Sequence, residues 1–375
     1  MLRRTIFLFA FTAMAVLGIV SCEVGDKGRC YNVDGLTVIE IEGSWHDMGR
    51  QYGKLAVEQM HDVLEYVDSR LSPYPGRADS AAAVLAENLY SNYPDYLKEF
   101  FSGVSETSGL SLERIKLCNA AEYVEGLFYC SGIAAWDDYG CGKLVFGRNY
   151  DAQSYQEIFK DLVVTIFHPE GMMTAATVGY AGELYCVNGL NEMGIFLELN
   201  NGMPSAGEEI HWELCPSTTL LFELLFEAES LDDVDRFFQT NRSFSSFIIG
   251  VADRNEARSY EWCYDGVKRG DEATEDGLMI STNHYANETW PYDIPRDEDS
   301  WNSITRRSNL LELAGKNKGE IDVDRMKEII STMIDDGGPM HDLTRYQIIA
   351  VPEDMKMLVN VPDNKVNWVE ISLQH

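Results

Sequence analysis

Positive charge is scarce in this sequence: Lys and Arg total 30 against 61 Asp and Glu, a formal net charge of -31. No run of Lys or Arg forms a patch against that background. A chain this acidic repels phosphate backbones, which excludes nucleic acid as a partner. The sequence has no Cys-x-x-Cys and no His-Glu-x-x-His, so nothing supports a zinc site, and no metal or other cofactor is expected. It also lacks a Gly-x-Ser-x-Gly elbow and a Gly-x-Gly-x-x-Gly turn opening a helix. Gly142-Lys143 is followed by Leu144 without the spaced glycine of a phosphate-binding loop. Carboxylate pairs are so numerous that none is singled out for glycoside chemistry. After residue 20 no segment is long and apolar enough to span a bilayer.

What is present begins at the N-terminus. Arg3-Arg4 precede an apolar run from Ile6 to Val20, 15 residues long. A bilayer-spanning helix needs about 20, so residues 1–21 read as an export signal. Ile19-Val20-Ser21-Cys22 resembles a bacterial lipobox, which implies a lipid on Cys22, membrane attachment through it and a place in the cell envelope. The plainer alternative is an ordinary signal peptide with Cys22 incidental. Export would bring the eight cysteines into an oxidising compartment, and the sequence leaves their pairing open.

Hydrophobic residues at 45% and aromatics at 11% are enough for a sizeable core, and 375 residues allow two domains or one large unit. Residues 23–35 read as a tether and Leu36 to Ile41 as a strand. A helical pattern runs to about Leu71 and breaks at Ser72-Pro73-Tyr74-Pro75-Gly76; further helices are expected near 80–102 and 111–127. From Cys130 the character changes. Strands are expected near 130–136, 143–149, 160–168, 172–178, 184–189 and 193–199, and again at 245–252, 257–264 and 278–283. Helices near 217–228, 231–240, 303–314 and 323–332 are interposed, and three strands near 344–351, 355–361 and 366–373 close the chain. Two blocks of strands with paired helices suggest stacked sheets flanked by helices rather than a doubly wound parallel sheet.

Chemistry-bearing residues are densest from Cys130 to Asp151. A strand opens with Cys130-Ser131, a turn follows around Asp137 to Gly142, and a second strand ends Gly147-Arg148-Asn149-Tyr150-Asp151. In such a hairpin the end of the second strand returns beside the start of the first, bringing Arg148 and Asp151 near Cys130. A thiol beside an arginine has a lowered pKa, and a carboxylate there can orient an amine. The bland reading is a buried free cysteine with unrelated neighbours.

Cys-Ser followed about 18 residues on by Gly-Arg-Asn-Tyr-Asp resembles the nucleophile region of N-terminal nucleophile (Ntn) hydrolases with a cysteine nucleophile. The similarity is to the acyl-CoA:6-aminopenicillanic acid acyltransferase family, also called linear amide C–N hydrolases, and more distantly to choloylglycine hydrolases and penicillin V acylases. Further segments agree in order: Gly49-Arg50-Gln51-Tyr52-Gly53, Val187 to Gly194 with Asn200 closing the next strand, Ser281-Thr282-Asn283-His284-Tyr285, and Ser303-x-x-Arg306. The resemblance spans about residues 36–375. It implies an α+β fold, a four-layer αββα sandwich with an N-terminal, mainly helical pro-segment. It divides the chain into a leader over 1–21, a tether and pro-segment over 22–129, and a catalytic domain over 130–375.

The resemblance also implies autocatalytic cleavage between Tyr129 and Cys130. The α-amino group of Cys130 would then be the general base and its thiol the nucleophile, forming a thioester that water or an amine resolves. Asp151 would hold the amine, Arg148 would tune the thiol, and Asn200 and Asn283 would stand at the oxyanion. Arg306 would support these groups. Trp136, Tyr150, His284 and Tyr285 are candidate substrate-lining residues, and Asn191 reads as a turn residue. The expected partners are a small-molecule acyl amide and, through association of the cleaved chains, the protein itself; a higher oligomer is left open. Three alternatives stay open: acyl transfer to an amine acceptor, a Cys–His protease using His284, and a catalytically silent lipoprotein that binds an acyl ligand.

Overall fold

In the computed structural model the described residues are 22–23, 27–71, 78–125, 129–153, 158–270, 277–364 and 366–374. The leader over 1–21 and the side chain of Cys22 fall outside them. Within the expected tether, strand β1 (Cys22–Glu23) pairs with β2 (Arg29–Val33), which folds back on β3 (Leu36–Gly43). This corrects the reading of a tether over 23–35. The turn has Asp34 and Gly35 both at positive φ, 47° and 95°, the two-residue geometry whose twist matches its strands.

Six helices follow: α1 (Trp45–Leu55), α2 (Val57–Leu71), α3 (Ala78–Ser91), α4 (Asp95–Ser108), α5 (Leu112–Asn119) and α6 (Ala121–Glu125). Ser44 caps α1, its hydroxyl accepting from the Asp47 N–H at 3.2 Å. The single helix expected over 80–102 is two, because Pro94 has no N–H to continue α3 and instead starts α4. The Gly49-x-x-x-Gly53 spacing lets α1 meet α4 backbone to backbone. A Cβ at Gly49 would lie 2.1 Å from the Phe100 carbonyl oxygen, and one at Gly103 would lie 2.2 Å from that of His46.

The later strands are β4 (Ser131–Ala135), β5 (Val145–Asp151), β6 (Leu162–Pro169), β7 (Ala175–Tyr180), β8 (Asn188–Asn191) and β9 (Phe196–Asn201). Helices α7 (Met203–Ala206), α8 (Ser217–Glu227) and α9 (Leu231–Thr240) precede β10 (Phe247–Ala252), β11 (Ala257–Cys263), β12 (Gly266–Arg269) and β13 (Leu278–Ser281). Helices α10 (Ser303–Lys316) and α11 (Val323–Ser331) and strands β14 (Thr344–Val351), β15 (Lys356–Val361) and β16 (Val366–Ser372) complete the chain. One sheet has the order β1-β2-β3-β6-β7-β8-β9-β10-β11-β12, the other β13-β4-β5-β14-β15-β16. Among the described strand-to-strand ladders only β3 with β6 is parallel, and that pair joins the 22–129 segment to the rest of its sheet.

The architecture is the α+β, four-layer αββα sandwich. Ile133, Val145, Ile280 and Ile349 of the six-stranded sheet bury against Leu310 of α10 and Met326 and Ile330 of α11. Between the sheets Phe146 meets Phe196 with ring centroids 4.9 Å apart. On the far side Phe167 of β6 packs against Phe100 of α4 and Phe222 and Phe226 of α8. Strand alternation decides what the inner face carries. On β5, Gly147 and Asn149 face α11, where the Asn149 amide donates to the Ile330 carbonyl at 2.9 Å. Phe146, Arg148 and Tyr150 therefore face the ten-stranded sheet.

Candidate active site

Register brings the first two groups together. Gly132 pairs with Arg148 across the β4–β5 hairpin, so Arg148 returns beside Cys130 as the hairpin argument requires. Both are fully buried, and Arg148 Nη2 donates to Cys130 Sγ at 3.4 Å. The rest of the guanidinium is held from β9: Nη1 reaches Glu198 Oε2 at 2.7 Å and Asn200 Oδ1 at 3.4 Å, and Nη2 reaches the Leu199 carbonyl at 3.0 Å. Glu198 also accepts from Asn200 Nδ2 at 2.9 Å and from the Ser281 hydroxyl. Two glycines make room for this carboxylate; a Cβ at Gly132 would lie 2.0 Å from Glu198 Oε1 and one at Gly250 2.9 Å.

Sequence reasoning missed Glu198. Its signal was a lone acid inside the apolar run Phe196-Leu197-Glu198-Leu199, because a charge in a fully buried strand requires a buried counter-charge.

The second half of the site is built by α10. Arg306 donates from Nη1 to the Cys130 carbonyl and from Nη2 to Asn283 Oδ1, both at 2.7 Å, and from Nε to the Trp301 carbonyl at 3.1 Å. One helical turn earlier, Ser303 Oγ accepts the Asn283 N–H at 2.7 Å. The Ser-x-x-Arg spacing thus puts both side chains on Asn283, whose Nδ2 donates to the Asn201 carbonyl at 2.9 Å. Asp151 Oδ1 accepts from Thr344 Oγ1 at 2.6 Å. Its Oδ2 is buried with no hydrogen-bond donor, 3.8 Å from Arg306 Nη1. The Tyr129 N–H donates to the Asp151 carbonyl at 2.7 Å, and the Tyr129 ring stacks on Trp301 at 4.6 Å. The residue before Cys130 is therefore fixed by both its backbone and its ring.

Burial pushes the Cys130 thiol up to about 12, with Arg148 pulling it down and Asp151 pushing it up. At neutral pH the uncut chain holds a thiol, not a thiolate. Burial works against the charge on Arg148, but Cys130 once ionised and Glu198 more than offset it, and its pKa stands above the ordinary value. Burial raises Asp151, opposed chiefly by Arg306. Burial lowers His284 to about 4, reinforced by Arg307 and Arg306, so it is neutral at pH 7. Its Nδ1 lies 2.8 Å from Ser303 Oγ and 3.3 Å from Thr282 Oγ1, so His284 belongs to the hydroxyl cluster holding Asn283 and is not paired to Cys130.

The structure thus gathers Cys130, Arg148, Asp151, Asn200, Asn283 and Arg306. It does not gather all the expected substrate-lining residues. Trp136 lies past the far end of β4, six residues and about 20 Å of strand from Cys130. Tyr150 is wholly buried, stacked on Tyr346 at 4.5 Å with its hydroxyl on Glu122 of α6, and is core rather than pocket wall. Tyr285 does line a cavity, of about 310 Å³, with Ser205 and Trp290. Asn191 is a turn residue: its Oδ1 accepts from the N–H groups of Met193 and Ile195, and its Nδ2 donates to the Leu225 and Ala228 carbonyls. Among the described residues Cys118, Cys130, Cys141, Cys186, Cys215 and Cys263 are free thiols.

No family model and no curated protein matches the sequence. Among solved structures the fold is distantly similar to a Caenorhabditis elegans ortholog of N-acylethanolamine-hydrolyzing acid amidase. The two share 17% identity over 65% of this chain and 100% of that one, with a TM-score of 0.46. A conjugated bile acid hydrolase from Clostridium perfringens is similar at 14% identity over 65% of this chain and 92% of that one, TM-score 0.44. Penicillin V acylase from Agrobacterium tumefaciens is similar at 9% over 62% and 83%, TM-score 0.40.

Proposed function

We propose that this protein is a cysteine Ntn amidase that hydrolyses a linear, non-peptide acyl amide after cutting its own chain between Tyr129 and Cys130. The observation that carries the reading is the contact of Arg148 with the Cys130 thiol inside a closed, buried network of Glu198, Asn200, Asn283, Asp151 and Arg306.

Cleavage would proceed by attack of Cys130 Sγ on the Tyr129 carbonyl. The peptide C–N bond breaks, a thioester to Tyr129 forms, and water hydrolyses it to leave Cys130 with a free amine. The orphaned Asp151 Oδ2 is the natural acceptor for that new ammonium. An α-amine titrates near ~8, matched to proton transfer at neutral pH. In turnover the amine takes the thiol proton while Sγ attacks the substrate carbonyl, then delivers that proton to the departing amine. Water cleaves the acyl thioester and restores the thiol. Asn200 and Asn283 each use one amide hydrogen on a protein acceptor and keep a second for the oxyanion, and one such donor supplies about 3–4 kcal/mol. The Arg306 bond to the Cys130 carbonyl holds the nucleophile's backbone through both stages.

The lipobox-like Cys22 would tie the 22–129 segment to the cell envelope, and the 130–375 chain would stay there by association with it. Acid-quenching the enzyme during turnover of a dodecanoyl amide tests the chemistry. A dodecanoyl thioester on the fragment starting at Cys130 is the expected product. Hydrolysis absent and Cys130 unacylated would remove the amidase reading in favour of a silent acyl-binding protein.

A further inference from the structure

Helix α7 follows directly on Asn200, Asn201 and Gly202, and three cavities border it. The first, of about 270 Å³, is walled by Met203, Ile210, Phe244 and Phe247 and includes Asn201 and Ser245. Ser245 also lines the second, of about 280 Å³, beside His211, Tyr264 and Tyr292. Tyr292 and the end of α7 continue into the third, which Tyr285 and Trp290 line. Beside the site lies a row of hollows, the first mainly apolar and the other two polar with aromatic walls.

Two features of these hollows point to a ligand. Asn201 Nδ2 and Ser245 Oγ are buried without hydrogen-bond partners, although both residues are at least nine-tenths buried. An unmet buried polar group costs free energy that a bound amide or amine would recover. The charge is also all of one sign: Glu122 and Glu208 border the first cavity, Glu209 and Asp265 the second, Glu288 and Asp293 the third. No Lys or Arg is among the described lining residues of any of them. Two of the wall aromatics already hold cations, with Lys268 Nζ 4.5 Å from the Trp290 ring centroid and the Arg242 guanidinium 4.9 Å from that of Tyr264.

We infer that the amide taken by this site carries a positive charge away from its scissile nitrogen, as an N-acyl diamine does, with the acyl chain in the apolar hollow and the ammonium at Ser245, Glu209 and Asp265. This deepens the amidase reading and rests on it. Anionic conjugates, such as amides of amino-sulfonates or amino acids, meet the two carboxylates that border each cavity and are disfavoured.

Equilibrium dialysis tests this on the purified wild-type protein after cleavage, its Cys130 thiol blocked with methyl methanethiosulfonate so that it binds without turnover. The probes are three dodecanoyl amides, of putrescine (cationic), ethanolamine (neutral) and taurine (anionic). The putrescine amide is expected to bind at least ten times more tightly than the taurine amide, and more tightly than the ethanolamine amide, with the preference shrinking as salt rises. Glu209→Gln combined with Asp265→Asn should remove most of that preference. Glu312→Gln with Asp324→Asn, which removes equal charge from exposed faces of α10 and α11, should keep it. Equal binding of the three amides overturns the inference. So does a preference that survives the cavity variants, or that falls equally in both pairs, since the general field of the chain would then be its source. Failure of the amidase reading shows separately, as wild-type protein that hydrolyses none of the three, and leaves the binding order standing.

Discussion

Glu198 holds the guanidinium that touches the nucleophile, and its loss should be felt twice. Glu198→Ala leaves Arg148 buried without its counter-charge, a change that costs about 3–5 kcal/mol when a buried pair is broken. Urea unfolding should show that loss, and turnover should fall further than Glu198→Gln allows, because Gln keeps a hydrogen-bond acceptor near Arg148. His284 gives the opposite expectation. It is neutral and bonded to Ser303, so His284→Gln should retain most of the amidase activity, whereas a Cys–His protease would lose orders of magnitude.

Asp161 adds a pH signature. Burial raises it from 3.8 to about 7, with Asp62 and Glu58 adding to the rise against Lys160. Its protonated form is the one the fold favours. Its contribution to stability is complete below its unfolded pKa and is lost as pH rises through about 7. Asp161→Asn should therefore raise the urea midpoint relative to its parent at pH 8 and change it little at pH 4. At this scale the sequence showed Cys130, Arg148 and Asp151 through hairpin geometry. It hid Glu198 and Thr344, whose roles depend on strands distant in the chain coming together.

At the scale of elements, the strand and helix order was largely legible because apolar alternation and helical spacing were regular from Leu36 onward. Two misreadings had local causes. Arg29–Val33 lacks clean alternation, and only Asp34-Gly35 marked it as half of a hairpin. Pro94 sat inside an otherwise helical run and ended it. Trp136 failed for a different reason: closeness in sequence to Cys130 becomes distance when the intervening residues are an extended strand. The glycines of α1 show what spacing could not. Gly49→Ala would drive a Cβ against the Phe100 backbone, and separating two packed helices costs about 1–3 kcal/mol. A lower thermal midpoint with the site chemistry intact is the expected outcome; an unchanged midpoint would mean that α1 and α4 do not approach as described.

At the scale of the whole molecule, the proposed cut falls inside one continuous structure. Strand β3 lies parallel to β6 within the ten-stranded sheet, the Tyr52 hydroxyl accepts the Gly182 N–H at 2.9 Å, and Glu122 takes the hydroxyls of Tyr150 and Tyr185. Segments 22–129 and 130–375 should consequently elute together in native size-exclusion chromatography and separate only in denaturant. Early separation would contradict the shared sheet. Stacked sheets flanked by helices were readable from the blocks of strands and helices, and the four-layer plan followed from the family resemblance, but the joining of the first segment to that sheet was not legible, because parallel pairing leaves no local mark on the sequence.

The central claim is that Cys130 becomes an N-terminal residue by its own action. The denatured mass spectrum of the purified protein, with Cys130→Ala beside it, tests this directly. The account predicts two fragments dividing between Tyr129 and Cys130 in the wild type and one intact chain in the variant. A single intact chain in both, in protein that turns over acyl amides, would contradict it.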